Sequence, residues 1–439
     1  MTHEGGGTGL GHLVRTWRWL LVAPGLLLWW IIGQFDKTNV SLIIADQSFL
    51  DELQLEGRNA ELGGLMSAFF VGYGVSIFIW GFLVDRFGPR KCLIAGTLAW
   101  GLVLFWMSRT TSLEGLLIAR FLLGAAEGNM WPVSNALTNR WFPVREHSRA
   151  QTFWLSGSVL GTALGIPVVS ALMLASGWRG MLVGLALLSV VPVAIFAFIA
   201  NWPKHQKRMP RHEVEEIEED QKKAAIIAKM SFGELLKASS FWLLTVCMII
   251  SVTTIFTMVQ WIPRFLTTQR GLSFGEMTSW ITVGYILATV LTVAVGYIAD
   301  HTMQRALTAS WTCWSFFILV LPLAYWLPPI GTAVLLAGLV AVPPIIASLN
   351  GALLHTMVRP EAVARGTGVY SGVGSIVSAI GPVTFGASIT YLGGQFWGGF
   401  LFLGVLNAVG AVCYYALHRM SVRAAQAAVT TAQAKTARA

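Results

Sequence analysis

Long continuous apolar runs recur along the whole chain, and they limit the possible folds more strictly than any other feature. Each run is about 20 residues long, which is the length that a helix needs to cross a bilayer. Transmembrane β-strands would instead alternate over about ten residues. Only helices and closed barrels satisfy the backbone in lipid, so the runs predict an all-α polytopic membrane protein. The twelve predicted spans are 18–44, 63–83, 91–108, 112–139, 150–175, 180–200, 241–267, 276–299, 306–327, 330–356, 366–391 and 395–418.

Composition excludes a soluble enzyme and argues against a nucleic-acid partner. Hydrophobic residues make up 55% of the 439 residues and charged residues only 12%, against about 25% charged in a typical soluble domain. The net charge is +9, but the lysines and arginines gather in alternate loops, which is the pattern of a membrane protein rather than a basic groove. The sequence shows no hydrolase triad, nucleotide-binding loop or metal-ligand spacing, so we expect neither catalysis nor a metal or cofactor.

The charges of the loops predict the orientation and the domain limits. Basic loops near 86–91, 140–149 and 201–240 are expected on the cytoplasmic side, together with both termini. A surface helix is expected in the last of these segments, because Ser231 and Glu234 have the spacing of a capping box. The predicted domains are a cytoplasmic tail (1–17), an N-terminal six-helix bundle (18–200), a cytoplasmic linker (201–240), a C-terminal six-helix bundle (241–418) and a second cytoplasmic tail (419–439).

An internal repeat supports two related halves. The segment Gly81-Phe-Leu-Val-Asp85 follows the second predicted span, and Gly296-Tyr-Ile-Ala-Asp300 follows the eighth. After the fourth span of each half comes an acid followed by an arginine: Glu146 with Arg149, and Glu361 with Arg365. Parallel halves with matching elements are one of the architectures of membrane transporters.

The first copy of this repeat extends into a longer motif. The segment Gly81-Phe-Leu-Val-Asp85-Arg86-Phe-Gly88-Pro-Arg90-Lys91 resembles the signature loop of the major facilitator superfamily in length and in its position between the second and third spans. The resemblance implies twelve helices in two pseudo-symmetric six-helix bundles that transport by alternating access. It also implies a cytoplasmic gate, for which the candidate residues are Asp85, Arg86, Arg90, Glu146 and Arg149.

Within this superfamily the chain resembles the anion:cation symporter family, which includes sugar-acid, phthalate and tartrate permeases and sialin-like carriers. The residues that carry the resemblance are Asp36-Lys37-x-Asn39 in the first span, Arg120-x6-Glu127 in the fourth span and the exit segment Arg140-Trp-Phe-Pro143. One departure is Lys37, because members of the family usually carry arginine at this position. Lysine lacks the planar fork that grips a carboxylate with two hydrogen bonds, so only the electrostatic attraction is retained.

Four charged residues inside apolar spans form the candidate site. Charges at bilayer depth are costly, rare and usually functional. Arg120 and Glu127 are seven residues apart, nearly two helical turns, so they share one helix face. With both acids ionised the charges of Asp36, Lys37, Arg120 and Glu127 sum to zero, and protonating one acid leaves positive charge that attracts an anion.

These charges predict separate roles. Asp36 and Glu127 are predicted to carry protons, and Lys37 is predicted to be the main contact of a substrate carboxylate. Arg120 is predicted to belong to the same substrate site and to orient the acids. The alternative is a static ion-pair network that only fixes helix packing.

Weaker candidates are polar residues on helices that face the substrate in this family: Tyr73, Ser158, Gln260, Asn350 and Ser371. Each could hydrogen-bond a substrate or merely a neighbouring helix, as small polar residues often do in membranes. The small serines, with Trp131 close in sequence, favour a bulky or aromatic carboxylate over a polyhydroxylated one.

The predicted function is proton-coupled uptake of an organic carboxylate by a monomer in a bacterial inner membrane. Its expected partners are the anion, protons and the lipid bilayer. The alternative is proton-driven efflux of drugs or metabolites, which would use the same signature loop. A pump for cationic drugs needs an unpaired acid, whereas Lys37 and Arg120 offset both acids here.

Overall fold

The computed structural model describes residues 16–143, 146–207, 209–225, 236–302, 304–323 and 360–436, together with scattered positions between 328 and 353. The regular secondary structure of these residues is helical, and no strand occurs among them. The helices of the first half are α1 (Ala23–Ile43), α2 (Gln47–Glu52), α3 (Asn59–Phe87), α4 (Pro89–Met107), α5 (Leu113–Glu127), α6 (Met130–Trp141), α7 (His147–Leu188), α8 (Val190–Ala197) and α9 (Arg211–Ala225). Those of the second half are α10 (Ser239–Arg264), α11 (Phe274–Thr302), α12 (Arg305–Leu323), α13 (Pro360–Ser378), α14 (Ile380–Tyr391) and α15 (Trp397–Thr436).

The lengths and compositions of these helices confirm an all-α polytopic membrane protein. Among the described residues, seven helical segments are long and apolar enough to cross a membrane. They are Arg18–Ile43, Asn59–Phe87, Pro89–Met107, Arg149–Ala197, Ser239–Gln269, Val369–Tyr391 and Trp397–Arg423. The helices α11 and α12 coincide with the predicted spans at 276–299 and 306–327. The predicted span at 330–356 lies largely outside the described residues.

The fourth predicted span differs in the structure. The fourth predicted span is divided into α5 and α6 at Gly128 and Asn129. The Asn129 side chain donates a hydrogen bond to the Cys92 carbonyl oxygen at 2.9 Å, so a tertiary contact holds this break. The fifth and sixth predicted spans, by contrast, are separate helical segments within α7, because the backbone is non-helical at Gly177, with a φ of 68° that an L side chain rarely adopts.

Contacts within the chain divide it into two compact units. Unit 1 comprises Met1–Asn39 and Val75–Ala228, and unit 2 comprises Val40–Gly74 and Lys229–Ala439. The helices α1 and α3 therefore contribute residues to both units. The domain limits expected from the sequence stay a prediction.

Within unit 1, three glycines spaced four residues apart let α7 pack directly on α1. A Cβ at Gly157 would lie 2.6 Å from the Leu27 carbonyl oxygen, and one at Gly161 would lie 2.7 Å from that of Ile31. Gly165 continues this stripe. Small residues at every fourth position allow close backbone approach between membrane helices. This packing fixes the register of α1, which carries half of the candidate site.

The linker helix α9 docks on the start of the first span in the same unit. Arg18 forms a buried ion pair with Glu146 at 3.0 Å and also reaches Glu216 on α9 at 3.0 Å. Glu213, on the same helix, accepts a hydrogen bond from the Trp17 backbone N–H at 3.1 Å and is only 2% exposed. An acidic run such as that of α9 is typical of a solvated helix, but the Glu213 carboxylate is buried beside Arg18. The predicted surface helix at Ser231–Lys237 falls mainly outside the described residues.

Unit 2 has an aromatic core near one end of α10. The Trp261 indole stacks on Phe385 with ring centroids 5.6 Å apart and donates a hydrogen bond to the Pro382 carbonyl oxygen. Phe265, Phe396 and further rings of α14 and α15 complete the cluster. These contacts join α10, α14 and α15, and hence the start and the end of the second half of the chain.

Candidate functional site

The centre of the candidate site is a buried ion pair in unit 1. Lys37 Nζ on α1 lies 2.6 Å from Glu127 Oε2 at the end of α5. Lys37 is 5% exposed and Glu127 is fully buried. The ammonium also donates a hydrogen bond to the Gly33 carbonyl oxygen at 3.2 Å and lies 4.0 Å from Met130 Sδ. In a pair this well enclosed each charge depends on the other, because either charge alone would be strongly unfavourable there.

Gly33 makes room for this arrangement. A Cβ at that position would lie 2.8 Å from Met130 Cε and 2.9 Å from Met130 Sδ, well inside van der Waals contact. The absence of a side chain therefore lets Met130 pack against α1 and lets Lys37 fold back over the preceding turn. Helical side chains naturally point toward the N-terminus, which suits this direction.

The second pair of predicted residues lies beside the first. Arg120 is fully buried, and its Nη1 donates hydrogen bonds to the Asp36 carbonyl oxygen at 3.3 Å and to Asn39 Oδ1 at 3.4 Å. The Asp36 side chain is 1% exposed and interacts electrostatically with Glu127, Lys37 and Arg120. The structure thus brings together all four charged residues that the sequence singled out, with α1 supplying two and α5 the other two.

Each acid retains an oxygen that is not hydrogen-bonded. Asp36 Oδ1 and Glu127 Oε1 are buried and have no hydrogen-bond partner among the residues that the structure describes. Buried polar atoms are normally satisfied, so an orphaned carboxylate oxygen calls for a functional reason. A proton on such an oxygen would remove a buried negative charge without breaking any described hydrogen bond of that atom. The arrangement is therefore chemically suited to gaining and losing protons.

Among the weaker candidates, Ser158 lies in unit 1 on α7 and is half-buried. The others, Tyr73, Gln260, Asn350 and Ser371, belong to unit 2 and are all buried. Gln260 Nε2 donates to the Leu62 carbonyl oxygen at 2.7 Å, and Asn350 Oδ1 accepts from the Tyr414 hydroxyl at 2.6 Å. Tyr73 stacks on Phe69 with ring centroids 5.8 Å apart.

Three atoms of these unit 2 residues stay available within the described part of the chain. Gln260 Oε1, Asn350 Nδ2 and Ser371 Oγ are buried and have no hydrogen-bond partner there. Gln260 and Asn350 therefore each make one structural hydrogen bond and keep one polar atom without a partner, and Ser371 keeps its hydroxyl oxygen without one. Their predicted role in substrate binding stays a prediction.

The predicted gating residues have different surroundings. Glu146 is 7% exposed and is gripped by both Nε and Nη2 of Arg18, each at 3.0 Å. The Arg90 backbone N–H donates a hydrogen bond to Asn201 Oδ1 at 2.9 Å, and its guanidinium donates one to the Ala197 carbonyl oxygen. Exposed side chains are those of Asp85, Arg86 and Arg149. The side chains of Glu361 and Arg365, the second copy of the acid–arginine repeat, lie outside the described residues.

Sequence reasoning did not single out Arg18 or its partners on α9. Arg18 stands at the edge of the first apolar run, where a basic residue is expected for topology alone. The available signal was the position of Glu213, which shares a helix face with Glu216 and with the apolar Ile217 of the same amphipathic segment. That pattern predicts that this face packs against another part of the protein, but it does not show which cation the carboxylates contact.

Comparison with known proteins is consistent with the signature loop and the helical fold. Residues 26–382 match the sequence profile of the Major Facilitator Superfamily. The probable sulfoacetate transporter of Cupriavidus necator is 26% identical over 283 residues, a match that spans 64% of this chain and 64% of that protein. The hexuronate transporter of Bacillus subtilis is 26% identical over 398 residues, which are 87% of this chain and 90% of that protein. These relatives fit the expected anion:cation symporter group.

A solved structure has the same fold. The crystal structure of a bacterial homologue of the human lysosomal transporter Spinster, in an inward-facing and unoccupied conformation, superposes with a TM-score of 0.71 at 14% identity. It covers 92% of this chain and 97% of that chain. The family and the relatives are transporters rather than enzymes, and the helices make this a multi-pass membrane protein. The chain belongs to the Major Facilitator Superfamily.

Proposed function

We propose that the protein imports an organic carboxylate together with protons, by alternating access. The observation that carries this proposal is the buried Lys37–Glu127 ion pair at 2.6 Å, with Asp36 and Arg120 beside it. Such charges inside membrane helices mark substrate and ion pathways. The sulfoacetate and hexuronate transporters among the relatives support an organic anion as the substrate.

The geometry suggests how an anion and a proton are coupled. In the ion pair, the Glu127 carboxylate is bound to the Lys37 ammonium, which a substrate carboxylate would need as its own partner. A proton on Glu127 neutralises the carboxylate and frees Lys37 to bind the anion. When the proton leaves, Glu127 regains its charge and competes with the substrate for Lys37, which expels the anion. Binding of the two ligands is therefore mutually favourable, as linkage requires for symport.

The remaining charges set the electrical balance of the loaded site. Arg120 holds the backbone of α1 at Asp36, so it keeps a positive charge near the site that helps to attract the anion. Asp36 is the second proton carrier, with its orphaned oxygen as the acceptor. We propose cytoplasmic termini on the basis of the loop charges, and a monomeric protein in a bacterial inner membrane. The proton gradient serves as the energy source, with no bound cofactor.

Uptake by purified protein in liposomes tests this proposal. With a panel of radiolabelled carboxylates, an inward proton gradient is expected to drive accumulation of at least one anion. The Glu127→Gln protein is expected to lose gradient-driven accumulation while keeping exchange of substrate across the membrane. The matched control is Glu114→Gln, which changes an exposed acid at the start of the same helix and should leave accumulation intact. Normal accumulation by Glu127→Gln, or accumulation that requires the opposite gradient, would overturn the proposal.

A further inference from the structure

Three tryptophans from three helices meet in unit 1. The Trp30 ring on α1 lies 5.2 Å from Trp131 on α6 and 5.1 Å from Trp154 on α7, and the last two rings are 5.6 Å apart. Trp30 and Trp154 are buried, and their indole N–H groups donate to Ser134 Oγ and Thr138 Oγ1. Trp131 is only half-buried, and its N–H has no hydrogen-bond partner among the described residues. Two rings therefore fix the third, which offers a free surface.

This tryptophan cluster lies close to the ion pair along the chain, on α1 and just past the break between α5 and α6. Trp131 follows Glu127 by four residues, and Trp30 precedes Lys37 by seven. Because Lys37 Nζ bonds to the Gly33 carbonyl oxygen, the ammonium is displaced toward the Trp30 end of α1. It also contacts Met130, the neighbour of Trp131 in sequence. The ammonium therefore lies on the side of Lys37 that faces the tryptophan cluster.

The half-exposed surface around Trp131 is polar. Gln34 follows Trp30 by four residues on α1, and Asn135 follows Trp131 by four on α6. Both amides are half-buried, and neither has a hydrogen-bond partner in the part of the chain that the structure describes. Lipid would leave these amides unsatisfied at a high cost in free energy. Two half-buried amides one turn from Trp30 and Trp131 therefore favour a water-filled path over lipid beside Trp131.

We infer that Trp131 is the platform on which a ring attached to the substrate carboxylate stacks. The substrate class is then an aromatic monocarboxylate, with its carboxylate on Lys37 and its ring on Trp131. This inference rests on the proposed function, since it assigns the rest of the molecule whose carboxylate the ion pair binds.

Binding to the purified full-length protein tests this assignment. Isothermal titration would compare benzoate and phenylacetate with cyclohexanecarboxylate, which has the size of benzoate without its π-system, and with glucuronate. Trp131→Ala is expected to weaken binding of the two aromatic acids by about tenfold, the upper part of the range for an aromatic contact. Trp131→Phe should retain most of the affinity. Trp106→Ala, which removes an exposed ring on α4, is the matched control and should bind as the unaltered protein does.

The outcomes separate this inference from the proposed function. An unaltered protein that binds glucuronate more tightly than either aromatic acid would overturn the substrate class. A Trp131→Ala protein that loses affinity for all four acids equally, with Trp131→Phe no better, would show that the ring only holds the helices together. If Trp131 proves necessary for aromatic binding but no proton gradient drives uptake, the inference survives and the coupling to protons fails.

Discussion

Lys37 Nζ lies 2.6 Å from Glu127 Oε2, in a direct contact between side chains 90 residues apart in the chain. Both side chains are inside apolar helices and are almost completely removed from solvent. Each partner therefore determines whether the other is tolerated as an ion.

Removing Lys37 alone should cost more stability than removing both charges. Lys37→Met leaves the Glu127 carboxylate buried and unpaired, a loss of about 3–5 kcal/mol in comparable buried pairs. The double change Lys37→Met with Glu127→Gln removes the uncompensated charge and should recover a large part of that loss. Thermal unfolding of the purified proteins in detergent measures both effects. Equal unfolding temperatures for the single and double variants would show that the unpaired Glu127 carboxylate is not what destabilises the single variant.

The glycine at position 161 should not accept a side chain. A Cβ there would lie 2.7 Å from the Ile31 carbonyl oxygen and 2.8 Å from Gln34 Cβ, so α1 would have to move away from α7. We expect Gly161→Ala to lower stability by about 1–3 kcal/mol, as overpacking does, and to slow transport. Gly184→Ala, in the part of α7 that follows Gly177, is the matched control, because its Cβ would meet only Leu172 methyl groups at 3.5 Å. Similar unfolding temperatures for the two variants would contradict the close packing.

Asp36 should affect the charge that crosses the membrane with each substrate. Under the proposed function, a monoanion moves with a proton on each of two acids, and the cycle carries one net positive charge. Asp36→Asn removes one carrier and should make transport electroneutral while leaving the Lys37–Glu127 pair in place. Electrical recording from protein-loaded supported membranes gives this readout directly. A current of unchanged size per substrate would exclude Asp36 as a carrier.

Arg18 should be needed for the stability of unit 1. Its guanidinium forms ion pairs with Glu146 and Glu216 at 3.0 Å each, and Glu213 Oε2 lies 3.7 Å away. Arg18→Gln leaves these carboxylates without their shared cation and should cost about 3 kcal/mol or more. Adding Glu146→Gln to that variant should restore part of the loss. Arg109→Gln, at an exposed position, serves as the control and should unfold as the unaltered protein does.

Much of the fold and the membership of the charged site could be predicted from the sequence. Twenty-residue apolar runs leave few alternatives to membrane helices, and the seven-residue spacing of Arg120 and Glu127 placed them on one helix face. The partner choices could not be predicted in the same way. Helical periodicity does not reveal that Gly33 leaves space for Met130, or that Lys37 folds back to reach Glu127, because both depend on side chains from another helix.

The missed features share this physical origin. The break between α5 and α6 depends on Asn129 reaching the Cys92 carbonyl oxygen, 37 residues away. The docking of α9 depends on Arg18, 198 residues away from Glu216. Local propensity would have allowed a continuous fourth helix and a solvated acidic helix, and tertiary contacts overrode both.

The position of Arg18 in the chain also has a consequence for biosynthesis. Arg18 enters the membrane with the first helix, but Glu146 is made 128 residues later and Glu216 later still. Until then its guanidinium lacks the carboxylates that bind it in the finished protein. In a ribosome-bound chain the Arg18–Glu216 pair can form only after the linker has been synthesised. A fragment that stops at Ala225 should therefore insert and resist proteolysis better than one that stops at Ala200, although both contain every membrane helix of the first half.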